Sequence, residues 1–101
     1  MEVIAKVKEV VETREFNDKQ GNPRKVTTIL AEEITTDQYK DSFVIELWDK
    51  YSDAFLDSHK VGDSVRVGVA FNVRKREWQD KDGNNHVAYQ QVISGFNVSR
   101  L

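Results

Sequence analysis

Phe43-Val44-Ile45-Glu46-Leu47-Trp48-Asp49-Lys50-Tyr51-Ser52-Asp53-Ala54-Phe55 changes its period at Asp49. Before it the run alternates, with Phe43, Ile45 and Leu47 expected on the buried side of a strand. After it Tyr51, Ala54 and Phe55 fall at i, i+3 and i+4, one apolar face of a short helix ending near His59. Asp49 at the switch is expected to cap that helix, its carboxylate accepting the free N–H groups of the first turn.

Two strands are expected before this segment and two after it. Val3, Ala5, Val7 and Val11 alternate, with an interruption near Glu9-Val10 that reads as a bulge. Asp18 to Pro23 is a hairpin turn in which Gly21 supplies the positive φ. Val26 to Ile34 is the second strand, and Thr35 to Asp41 a polar connection. Beyond the helix, Val61-Gly62-Asp63 is a turn, and Ser64 to Trp78 is the clearest strand, with Val65, Val67, Val69, Phe71 and Val73 expected inward. His86 to Ile93 returns as the fifth strand, and Gly95 marks a bend before Phe96 and Val98. Hairpin, third strand, helix, long hairpin is the order of a five-stranded, all-β OB-fold barrel whose helix plugs one open end. An SH3-like barrel or a lone meander has no call for a helix at that point.

The 101 residues suit one domain, and 39% hydrophobic with 32% charged residues marks a globular chain. No apolar run approaches the ~20 residues of a membrane helix. The N-terminus lacks the basic and apolar blocks of an export signal, and cysteine is absent, so a reducing cytoplasm is expected. Net charge is -2, yet its distribution is uneven: residues 1–59 hold 8 Lys/Arg against 13 Asp/Glu, residues 60–101 hold 7 against 4. A locally basic face is compatible with that balance.

Arg14-Glu15-Phe16-Asn17-Asp18-Lys19-Gln20-Gly21-Asn22 recurs as Arg76-Glu77-Trp78-Gln79-Asp80-Lys81-Asp82-Gly83-Asn84, identical at six of nine positions. In an OB-fold these are the two loops flanking the ligand face, between strands 1 and 2 and strands 4 and 5. Parity sends Arg66, Ala70, Asn72, Arg74, Arg76 and Trp78 outward if Val65 to Val73 face the core, and Arg14 and Phe16 outward if Val11 faces it. Exposed rings stack on unpaired bases while Arg and Lys follow phosphates. The candidate nucleic-acid-binding residues are Arg14, Phe16, Lys25, Trp48, Arg66, Arg74, Arg76, Trp78 and Tyr89. Against this stands a plainer account: Asp-Lys-x-Gly-Asn is good turn chemistry in itself, Trp48 suits packing better than stacking, and Arg74-Lys75-Arg76 also suits a guarded strand edge.

Catalysis finds no foothold. Asp80-x-Asp82-x-Asn84 starts like a calcium loop but has Asn85 and Gln91 where glycine and glutamate belong. Asn97-Val98-Ser99 matches a glycosylation acceptor only by chance in a strand without an export signal. His59 and His86 lie on separate elements, and no glycine-rich phosphate loop occurs. No enzyme, cofactor or metal is expected.

Phe43 to Tyr51, Val61 to Val67 and Phe71-Asn72-Val73-Arg74-Lys75-Arg76-Glu77-Trp78 resemble a family of short bacterial OB-fold domains related to single-stranded DNA-binding proteins. That family is frequent in the Bacteroidetes and mostly of unknown function. The resemblance implies the fold and singles out Arg74, Arg76 and Trp78. The chain ends Asn97-Val98-Ser99-Arg100-Leu101 directly after the last strand, so recruitment of repair enzymes through an acidic tail is not expected. The expected partner is single-stranded nucleic acid, DNA rather than RNA. The rival is an interaction module, a homodimer or higher homo-oligomer, whose interface uses the same rings and arginines. Oligosaccharide binding is a distant third.

Overall fold

The computed structural model describes all residues, Met1–Leu101. Five strands and one helix follow in the expected order: β1 (Glu2–Asn17), β2 (Pro23–Glu33), β3 (Ser42–Trp48), α1 (Lys50–Ser58), β4 (Ser64–Gln79) and β5 (Asn85–Arg100). They close as a barrel in the order β1-β2-β3-β5-β4, in which β3 and β5 are the one parallel pair. This is the OB-fold.

Inward-facing Val3, Ala5, Val7, Ile29, Ala31, Ile45, Leu47, Val65, Val67 and Val69 fill the barrel, and Phe55 of α1 seals its end. Phe43 and Val98 pack at the margin of that core. Where β5 crosses β3, a Cβ on Gly95 would come within 2.7 Å of Ile45 and 2.8 Å of Leu47, so only glycine lets the two strands meet. No helix is long and apolar enough to cross a membrane.

Three expectations are corrected. Phe71 and Val73 keep the parity of Val69 but are 48% and 61% exposed. β4 pairs with β1 only over Ser64–Gly68, and β5 pairs with β3 only over Ile93–Gly95. Beyond those points β4 and β5 have only each other, so the inward side of the ribbon faces no barrel. Val11 is also exposed, because β1 carries two register shifts against β2, between Val7 and Glu9 and between Val10 and Glu12. Each shift flips the alternation once, so Arg14 and Phe16 still point outward.

The third correction concerns α1. Asp49 sits at the N-cap with φ 50 but makes no side-chain capping bond. Its carboxylate is taken by the Arg24 guanidinium and by the Lys25 N–H at 3.1 Å, tying the helix start to β2. Tyr51 packs at the core margin and Phe55 within it, as expected, but Ala54 is exposed and Ser52 is buried in its place. Ser52 is there because its hydroxyl meets that of Thr27 at 2.6 Å, and Thr27 in turn meets Thr13 at 2.9 Å. Two buried hydroxyls thus satisfy each other under the helix, with exposed Thr13 at the outer end of the hydroxyl chain, which an apolar pattern cannot reveal.

Candidate nucleic-acid interface

The repeated turn sequences build one and the same turn. Asp18 accepts the N–H groups of Gln20 and Asn22, both at 2.9 Å, and Gly21 adopts φ 81. Asp80 accepts those of Asp82 and Asn84, again at 2.9 Å, and Gly83 adopts φ 81. The shared Asp, Gly and Asn are therefore explained by turn geometry. Arg14/Arg76 and Phe16/Trp78 lie outside the turn and are not.

Both hairpins also share a register. Phe16 pairs with Arg24 as Trp78 pairs with His86, and Arg14 pairs with Val26 as Arg76 pairs with Ala88. Each turn thus presents an aromatic ring with a nitrogen-bearing side chain across from it. Because β2 and β5 both neighbour β3, the two hairpins approach the outer face of β3 from either side.

At the C-terminal end of β3, Trp48 meets Phe16 edge to face, with centroids 6.0 Å apart and planes at 83°. Arg24 lies over the Trp48 ring at 4.9 Å and holds Asp49 through Nη2 at 2.9 Å. That bond raises the Arg24 pKa and holds the Asp49 carboxyl below its ordinary value, the Lys25 N–H adding to the latter. Two residues back along β3, Glu46 accepts from Arg74 of β4 at 3.1 Å and from the Trp48 indole at 3.4 Å. β3 therefore carries the root of one hairpin at Trp48 and the root of the other at Glu46.

Past Arg74 the β4–β5 ribbon runs on as an arm. Arg76 lies 6.0 Å from the centre of the Trp78 ring, and Trp78 is 48% exposed. His86 stacks on Trp78 at 5.4 Å with planes 19° apart. Its Nε2 lies 2.8 Å from Asp80, whose carboxyl is lowered by this bond first and by the Asn84 N–H second.

The structure brings Phe16, Trp48, Arg74, Arg76 and Trp78 onto one continuous outer face. Arg14 joins it, paired with Glu12 at 3.2 Å and 6.0 Å from the Phe16 ring. Of the other three, Tyr89 and Arg66 lie elsewhere, and Lys25 borders the face, lining a cleft with Phe16, Arg24 and Asp49. Lys25 points to the helix side, where Asp53 takes its ammonium at 2.9 Å and raises its pKa. Tyr89 has the parity of Val73, on the reverse of the arm. Arg66 is on the barrel wall between Ile4 and Ser99, about 26 Å down the strand from Arg74 at 3.3 Å per residue.

Arg24, Glu46, Asp49 and His86 belong to this face and were not foreseen. Counting inward from Ile29 and Ala31 through Thr27 puts Lys25 on the inner side and Arg24 outside, so parity alone held the signal for Arg24. The two carboxylates have no such signal. They matter because Arg14, Arg24 and Arg74 are each already paired with an acid, so an incoming phosphate must displace a carboxylate.

The family described as Domain of unknown function (DUF3127) matches residues 2–99. No curated protein sequence matches the chain. Among solved structures, the second OB-fold domain of replication protein A from Methanococcus maripaludis superposes with a TM-score of 0.61 at 20% identity, covering 99% of this chain and 81% of that one. The mitochondrial single-stranded DNA-binding protein Rim1 from S. cerevisiae gives 0.57 at 14% identity, covering 100% and 92%. At such identities the likeness is one of fold.

Proposed function

We propose that this chain, which belongs to the DUF3127 family of unknown function, binds single-stranded nucleic acid without catalysing a reaction on it. The observation that carries the reading is the outer face of β3, where the roots of two like hairpins meet through Phe16–Trp48 and Glu46–Arg74. From there Arg76 and Trp78 extend the same face along the arm. Rings on such a strip stack on successive bases, and the arginines follow the backbone between them. DNA is favoured over RNA because a structural neighbour of near-complete coverage is named as a single-stranded DNA-binding protein. The absence of cysteine suits a cytoplasmic setting.

Tryptophan fluorescence during titration with oligo-dT at two salt concentrations tests this. Quenching with micromolar or tighter affinity, weakened by salt, is expected, and Arg76→Ala lowers the log–log salt slope by about one phosphate's worth, ~0.7 for a single strand. Unchanged fluorescence and no retained oligonucleotide at low salt remove the reading.

A second reading concerns the reverse of the arm. Phe71, Val73, Val87 and Tyr89 form an exposed apolar row there, and an isolated two-stranded ribbon is at best marginally stable. Lys75 and Glu77 lie on this same side, 2.9 Å apart. A two-fold axis across the row lets each copy's lysine meet the other's glutamate, so a second copy of the chain is the occupant that fits. Light scattering should then show a dimer that Tyr89→Glu converts to monomer; a wild-type monomer at tens of micromolar removes this reading and leaves the first untouched, since the two faces are opposite.

A further inference from the structure

Between the two hairpin roots the outer face of β3 is indented. A cleft of ≈ 200 Å³ opens there, lined by Glu46, Trp48, Asn72, Arg74, Val92 and Ser94. That is about the room of six or seven water molecules, the scale of one planar heterocycle rather than a stacked pair. Trp48 and Val92 give it apolar walls, and Arg74 a flat guanidinium.

A surface made only for phosphates would not have a carboxylate here. The Glu46 side chain is just 14% exposed. Its Oε1 accepts from Arg74 and, at the longer 3.4 Å, from Trp48, while Oε2 accepts nothing from the protein. Because Oε2 is open to the cleft, an incoming N–H donor takes the place of water on a carboxylate whose other oxygen is already engaged.

A phosphate is no such donor, but a base edge is. Guanine presents N1–H and the N2 amino group side by side, one for the free Oε2 and one for Oε1 in place of its long 3.4 Å bond from Trp48, with O6 next to them for the Arg74 guanidinium. Cytosine and adenine offer one amino group beside a ring nitrogen that only accepts. Thymine offers a single imide N–H between two carbonyls, whose lone pairs would face the carboxylate. Acidic side chains read base amino groups in this way, and unpaired bases are read on their Watson–Crick edges.

We propose that this cleft is a base pocket that selects guanine and disfavours thymine, with Glu46 as the specificity-determining residue. The proposal rests on the strand-binding reading above and assigns one subsite within it.

Fluorescence anisotropy tests it with labelled oligo-dT of about twelve nucleotides, within the span one OB-fold covers, and the same strand with one central thymine replaced by guanine. The guanine strand should bind about tenfold tighter, within the range of a good bidentate base contact. Glu46→Gln, whose amide also offers a donor to thymine carbonyls, should shrink that advantage to less than about twofold. Asn72→Trp, which fills the cleft from its exposed rim and leaves Glu46 in place, should remove the advantage too. Equal binding of both strands by the wild type overturns the pocket and leaves strand binding standing. A guanine preference that survives both variants overturns it as well. Failure to bind either strand overturns the pocket together with the reading it rests on.

Discussion

The two hairpins share a turn and a register, yet one is braced and the other stands alone. Thr27 in the first occupies the position of Tyr89 in the second, each placed three residues further along the ribbon from the Phe16 or Trp78 pair. Thr27 is fully buried beneath α1, and Tyr89 is 69% exposed. The first ribbon has β3 along one edge and the helix beneath it, while the second leaves the barrel after Ile93. Local sequence sets the turn, and the neighbours decide whether the ribbon above it is wall or arm.

Thr27→Val against Tyr89→Val is the sharpest way to break that contrast. Thr27→Val strands the buried Ser52 hydroxyl, while that of exposed Thr13 turns to water, and the loss of a buried hydrogen-bond partner costs about 1–3 kcal/mol. Tyr89→Val should stay within ~0.5 kcal/mol, as exposed substitutions do. Urea unfolding measures both. Similar losses from the two variants would mean that the arm is packed in solution against something, and a second copy would be the first suspect.

Ring removal gives the next effect. Trp78→Ala should weaken oligo-dT binding by about 1–3 kcal/mol, the scale of one base–aromatic stack, with almost no loss of stability. Phe16→Ala should cost both, because Phe16 also supports Trp48 across the face. If Trp78→Ala lowered the stability of the protein while leaving affinity intact, the arm would be structural and the first hairpin the ligand-bearing one.

How far this could be read from the chain follows the same contrast. Strand order and the helix between β3 and β4 were legible, because alternation and a period switch at Asp49 report burial against immediate neighbours. The end of the barrel along β4 was not: Val69, Phe71 and Val73 look alike in sequence, and only the point where β5 parts from β3 separates buried from exposed. At the candidate site, outward parity of Arg74, Arg76 and Trp78 was legible for the reason that β4 carries no bulge. The outward place of Arg24 was legible by counting back from Ile29 and Ala31, which puts Lys25 on the inner side. The carboxylates of Glu46 and Asp49 were invisible, since their partners lie 28 and 25 residues away in sequence.

A smaller effect separates the hairpins by charge. The Arg24 guanidinium is held by Asp49, whereas Arg76 lies against the Trp78 ring. Asp49→Asn keeps an acceptor for the Lys25 N–H and suits a φ of 50, which asparagine tolerates well. It also releases Arg24 for phosphate. Affinity for oligo-dT should rise about threefold at low salt, and the salt slope should steepen by about one contact, ~0.7. A weaker-binding Asp49→Asn would show that Asp49 positions Arg24 for the ligand rather than competing with it.

The smallest expected effect is on the arm's own tip. His86 is the first cause holding the Asp80 carboxyl below its ordinary value, with the Asn84 N–H second. A carboxyl depressed by folding contributes stability that is present above the ordinary carboxylate range and lost as pH falls through its lowered value. The turn should therefore stay closed through mild acid, and the Asn84 amide should lose protection only at the acidic end of that range. His86→Ala removes the larger cause and leaves the backbone bonds, so the Asp80 titration followed by NMR should move upward without reaching its free value. The same substitution uncovers one face of Trp78, which His86 now covers at 5.4 Å. If His86 occupies the place that a base takes on binding, His86→Ala should leave oligo-dT affinity equal or slightly higher. A loss of affinity matching that of Trp78→Ala would instead make the imidazole part of the stack.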